Sequence, residues 1–231
     1  MRCIYCPADA AGAKREAHVI PQGLGKTDMV LPAGTECDKC NEHAGSLEKT
    51  FLHHNHIWPT LMLLEVPGKR GRPRDRLGFM ERTTDGFMMR APARRAKTTI
   101  TPGKVEIEGG DPAEFDDGKF RRALHHIAFN YVVKERGHEH GLRPEYDEVR
   151  RYVRAAKPGE RWPYAQVIVQ RQHNRSSLIE SKRLNLSFVP DAAGLIVRFE
   201  CYVDDFYVDV FNSGELHKWA ARALPADVGL L

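Results

Sequence analysis

The 231-residue sequence lacks any long hydrophobic run: the apolar stretch Leu61 to Leu64 is typical of its longest. That is far short of the roughly 20 residues a membrane-spanning helix needs, so no membrane role is expected. The start, Met1-Arg2-Cys3-Ile4-Tyr5-Cys6, has no signal-like hydrophobic core, which predicts a cytoplasmic protein. Gly (19) and Pro (14) are too few for a collagen-like or low-complexity chain. At 42% apolar and 29% charged, the composition excludes a disordered one. What remains is a globular chain long enough to bury a real core.

The net charge of +4 hides a strong asymmetry. Residues 67–104 carry 11 basic side chains against 3 acidic, net +8, while residues 105–118 carry 6 acidic and none basic. The basic tract holds Lys69, Arg70, Arg72, Arg74 and Arg76, interleaved with Gly and Pro that keep it off regular structure. Guanidinium forks match phosphate oxygens, so the tract is a candidate polyanion surface. A solvated loop without a partner is the competing reading.

Periodicity separates the chain into three parts. Residues 1–56, rich in Cys, Gly and Pro, read as a small metal-stapled unit. Residues 57–118 read as short strands and basic loops followed by an acidic link. Residues 119–231 read as a helical pair and an antiparallel sheet, a candidate for substrate or partner recognition. Phe120, Leu124, Ile127, Ala128, Tyr131 and Val132 recur at helical spacing between Asp116-Asp117 and Gly137. A second helix is expected from Pro144, with Tyr146, Val149, Tyr152 and Val153 inward. Period two then appears in Leu184/Leu186/Phe188, Leu195/Val197/Phe199/Cys201 and Phe206/Val208/Val210, and a short helix over Glu215 to Ala223 closes the pattern. The expected class is α+β.

Four of the five cysteines form two knuckles, Cys3-x2-Cys6 and Cys37-x2-Cys40. Each can turn tightly and present two thiolates to one ion, and four sulfurs suit tetrahedral Zn²⁺. With every position taken by protein, such a zinc is structural. Four reduced, packed thiols are the alternative. Cys201 alternates with apolar residues and is expected to be an inert core thiol.

Between the knuckles lies Lys14-Arg15-Glu16-Ala17-His18-Val19-Ile20-Pro21, and Cys37-Asp38-Lys39-Cys40-Asn41 opens a helical segment that continues through Gly45 and Leu47-Glu48. Over residues 3–52 the sequence resembles the HNH endonucleases of ββα-metal fold, in particular the subset with two CxxC knuckles. A weaker likeness runs through Lys69–Arg76 and the segment from Arg121 to Arg154. The resemblance implies His18 as the general base that activates water, and Asn41 as a ligand of a second, catalytic Mg²⁺ or Mn²⁺ that stabilises the leaving oxygen. It implies nucleic acid, most simply DNA, as partner, and products with a 5′-phosphate and a 3′-hydroxyl. Many family members carry an acidic ligand immediately before the His; here Ala17 stands there. In an extended strand Glu16 shares the His18 face, and it either reaches the ion, orients His18 or has neither role. The middle polar residue of the family motif has no clear match near Met29 to Pro32. Lys14 and Arg15 flank the strand as candidate phosphate contacts or ordinary surface charge.

His54-Asn55-His56 spells the family name by coincidence, since the family's letters are separated positions. His53, His54 and His56 are expected as exposed or interface residues. His43, two residues past Asn41, is a lesser candidate for the metal shell, and His125-His126 are expected at the edge of the core or on the surface rather than as ligands. Three functions of different class fit: a metal-dependent DNA endonuclease, with roles such as restriction or anti-phage defence; a catalytically inactive zinc-stapled nucleic-acid-binding module, which Ala17 favours; and a protein-interaction module. One active site nicks one strand, so double-strand cutting would call for a homodimer or two encounters.

Overall fold

The computed structural model describes residues 1–25, 28–54, 57, 60, 61, 66, 116–168 and 183–224, together with the backbone of four strands between 79 and 108. The chain is a mixture of helices and two four-stranded antiparallel sheets. No helix among the described residues is long and apolar enough to cross a membrane.

The N-terminal segment leads into helix α1 (Asp38–Leu52). Its buried residues Cys40, Ala44, Leu47 and Phe51 recur at steps of three and four, a single stripe on one face. A meander follows, β1 (Phe79–Thr83), β2 (Gly86–Arg90), β3 (Lys97–Thr101) and β4 (Lys104–Glu108). The expected acidic link therefore begins inside a strand: Val105, Glu106, Ile107 and Glu108 alternate, and the register sets Lys97 opposite Glu108. The Lys69–Arg76 tract lies outside the described residues.

Helix α2 (Asp117–Arg136) is the centre of the molecule. The Asp116 carboxylate accepts the Lys119 backbone N–H at 2.9 Å, and Gly137, at φ 91°, ends the helix where a Cβ would be strained. From Ala123 to Val133 every residue is buried, so this middle stretch of α2 is enclosed on all sides. His125 and His126, expected at the core edge, are both fully inside. A one-turn helix α3 (His138–Gly141) and a 3₁₀ turn (Pro144–Tyr146) lead to α4 (Asp147–Ala155). Pro144 thus sits in the turn before the helix, and the expected inner residues Tyr146, Val149, Tyr152 and Val153 are buried.

The second sheet has the order β5–β8–β7–β6, with β5 (Tyr164–Ile168), β6 (Leu184–Phe188), β7 (Ile196–Cys201) and β8 (Asp204–Asp209). One face packs on α2; the other, through Ala165, Ile196 and Tyr207, packs on Leu216 and Trp219 of α5 (Glu215–Ala223). Cys201 is buried in β7, and burial raises its thiol pKa well above the usual range. Phe51 of α1 stacks on Phe120 of α2 (5.3 Å between centroids) and meets Phe199 and Phe206 of the sheet. One continuous apolar cluster runs from Cys3 through α1 and α2 to Val210.

Candidate functional site

The four knuckle cysteines converge: Sγ atoms of Cys3, Cys6, Cys37 and Cys40 all lie within 4.8 Å of one another. Tetrahedral zinc at about 2.3 Å from each sulfur sets them roughly 3.8 Å apart, so the set fits that ion. Among the described residues this is the one group of three or more His, Cys, Asp or Glu placed to hold a metal. Backbone N–H groups of Tyr5 and Cys37 each point at Cys3 Sγ at 3.4 Å, as donors to a thiolate do. The hydrogen bond from Cys40, helped by those N–H groups, lowers the Cys3 pKa to about 4, and Cys40 is pushed up in turn. A metal ion bound between the four sulfurs would resolve that competition, since all four could then be thiolates.

Beside the sulfurs, two short extended segments pair antiparallel. Val19 N–H donates to Met29 O (2.9 Å), Leu31 N–H donates to Ala17 O (2.8 Å), and His18 lies opposite Val30. Alternation along this strand leaves Glu16 exposed, Ala17 buried and His18 half-buried. Helix α1 is tied to the same strand twice. The Asp38 carboxylate accepts the backbone N–H groups of Lys14 and Arg15, both at 3.1 Å. Asn41 Nδ2 donates to the Glu16 carbonyl at 3.0 Å. A carbonyl only accepts, so this bond fixes the Asn41 amide with its nitrogen on the strand and leaves Oδ1 as an acceptor. The side chains of Lys14 and Arg15 are exposed.

Behind the strand runs a buried polar chain that sequence reasoning missed. Tyr5 hydroxyl donates to Asn130 Oδ1 at 2.7 Å, and Asn130 Nδ2 approaches His126 Nε2 (3.3 Å) and the His18 carbonyl (3.4 Å). Glu36, 2% exposed, lies 3.8 Å from His126 Nε2. Asn130 is a polar residue inside the apolar run of α2, which is the signal that could have marked it.

The lesser histidines are engaged elsewhere. Arg122 Nη2 donates to Val153 O (2.6 Å) and to His43 Nε2 (2.8 Å). Burial foremost, and the Arg122 charge, lower the His43 pKa, and through Nε2 His43 joins α1 to α2 and α4. His54, expected exposed or at an interface, is buried and stacks on Phe120 at 4.1 Å. Asn55 and His56, like Lys69, Arg70, Arg72, Arg74 and Arg76, lie outside the described residues. His138 Nε2 contacts Arg2 O at 2.7 Å and His140 Nε2 contacts the Tyr146 hydroxyl at 2.9 Å.

No family model matches the chain, and no curated protein or solved structure matches it either.

Proposed function

We propose that this protein is a metal-dependent endonuclease of the HNH kind that hydrolyses DNA phosphodiester bonds. The observation that carries the reading is the Asn41–Glu16 hydrogen bond, which joins the helix after the second knuckle to the strand that bears His18. The paired segments around His18 and Val30 followed by α1 run in the order strand, strand, helix, and the sulfur cluster staples both ends; reading them as a ββα-metal unit rests on that order together with the sequence resemblance. In this reading His18 takes the proton from the attacking water. Asn41 Oδ1 and the exposed Glu16 carboxylate would hold the catalytic ion. Both offer oxygen, the donor that Mg²⁺ and Mn²⁺ prefer, and the ion would supply charge stabilisation at the leaving oxygen. Lys14 and Arg15 would contact flanking phosphates. The zinc keeps strand and helix in fixed relation and does no chemistry.

One observation favours the second reading, an inactive nucleic-acid-binding module. Ala17, where many HNH endonucleases carry a carboxylate, packs into the core, so a catalytic ion would have one ligand fewer from this strand. An end-labelled duplex oligonucleotide incubated with and without added Mg²⁺ or Mn²⁺ separates the two. The nuclease yields ion-dependent fragments with 5′-phosphate ends. The binding module yields a salt-sensitive complex and no fragments.

A further inference from the structure

A cavity of about 300 Å³ lies apart from the His18–Asn41 site, between the first knuckle and α4. One wall is the chain from Arg2 through Tyr5 to Pro7; the other is the side of α4 that carries Arg150, Arg151 and Arg154. Two of these arginines are fully engaged. Arg150 donates to Gly141 O (2.8 Å) and Arg143 O (3.3 Å) and pairs with Asp147. Arg151 pairs with Glu148 and Glu160. Arg154 differs. Its Nη1 donates to the neutral carbonyl of Tyr5 at 3.2 Å, and among the described residues neither Arg154 nor Arg2 has a carboxylate within ion-pair distance. Two exposed guanidinium groups with donors to spare therefore flank a hollow that already has its own acid, Asp147, bound to Arg150.

The geometry points to a phosphate-ester site in this cavity, with Arg2 and Arg154 as its anion contacts. A guanidinium fork binds two phosphate oxygens at once, and the hollow is at the small end of ligand-sized pockets, enough for one phosphate and part of its ester. The ester is a backbone phosphate of a nucleic-acid strand or a free mononucleotide; the phosphate chemistry is the same. The strand form deepens the nuclease reading: it gives the enzyme a backbone grip on the far side of the sulfur cluster from Asn41. The phosphate site itself does not depend on that reading.

The test uses the full zinc-loaded chain with His18→Ala, so that nothing is cut, and no added divalent ion. Binding of a fluorescent single-stranded 12-mer is followed by anisotropy across a salt series, and binding of AMP by chemical-shift changes. Arg2→Ala with Arg154→Ala should weaken the oligonucleotide about tenfold, and the slope of log K against log salt should fall by about 0.7 for each arginine that contacts a phosphate. Loss of AMP binding with unchanged oligonucleotide affinity assigns the site to a free nucleotide; loss of both assigns it to the strand. Unchanged affinity and slope for both ligands overturn the proposal. If the double variant loses zinc, AMP titrated into the chain carrying only His18→Ala decides: shifts at Arg154 Nε–H support the site, and their absence contradicts it. If the chain with His18 restored nicks plasmid while the arginine variants bind normally, the cavity fails alone. If it never nicks but binding depends on Arg2 and Arg154, the nuclease reading fails alone.

Discussion

Ala17 carries the sharpest consequence of any one residue. Its neighbours on the strand are more open, Glu16 exposed and His18 half-buried, while Ala17 is 6% exposed within the apolar cluster. A carboxylate at this position, as in Ala17→Asp, would enter that cluster rather than face a catalytic ion. Burying an uncompensated polar group costs about 1–3 kcal/mol. Ala17→Asp should therefore lower the unfolding free energy by that amount, read as a lower urea midpoint at unchanged slope, and leave metal-dependent cleavage no faster. A stable variant that cleaves faster would show that residue 17 can turn outward. The residues that were legible in the sequence are those with local spacing: a CxxC pair announces itself within four positions. The Asn130–His18 contact joins residues 112 apart, and no local pattern reports it.

Among the elements, α2 was readable because its apolar residues recur at helical spacing between Asp116 and Gly137. β4 was obscured because its glutamates lie in an acidic run, although they alternate with Val105 and Ile107 at period two. The burial of every residue of α2 from Ala123 to Val133 was not readable, since period alone shows one inner face and tertiary packing closed the other. That burial has a pH consequence. His125 is fully enclosed, with Nδ1 on the Arg121 carbonyl (2.8 Å) and its ring against Tyr152 and Trp162. Burial lowers its pKa from 6.5 to about 4. The unfolded chain therefore binds this proton more readily than the folded one. Stability from the neutral ring is complete above pH 6.5 and is lost as pH falls from 6.5 toward 4. The loss comes to about 3 kcal/mol at most. Urea melts at pH 7.5 and 4.5 should show that fall, and His125→Phe should remove much of it. An identical pH dependence in the variant would assign the loss to other groups.

For the whole molecule, the sulfur cluster matters because the apolar core that begins at Cys3 continues through α1 and α2 into the second sheet. If the four sulfurs hold a zinc ion, its loss would release both knuckles and with them the strand and helix that carry His18 and Asn41. Intact-mass spectrometry should find one zinc per chain. Cys37→Ser should lose it, and should melt at a lower temperature as one cooperative unit, since structural zinc binding is folding free energy. A Cys37→Ser chain with unchanged melting would reduce the four sulfurs to packed thiols.

As proposed, His18 and Asn41 form a phosphodiester-cleaving centre. Timing the conversion of supercoiled plasmid to nicked circle with Mg²⁺ or Mn²⁺, for the parent chain and for His18→Ala at equal zinc content, tests that proposal. The expected result is nicking that requires the added ion and falls at least about a hundredfold in the variant, the usual scale for loss of a general base. Equal rates in the two chains, or no nicking by the zinc-loaded parent in either ion, would contradict it.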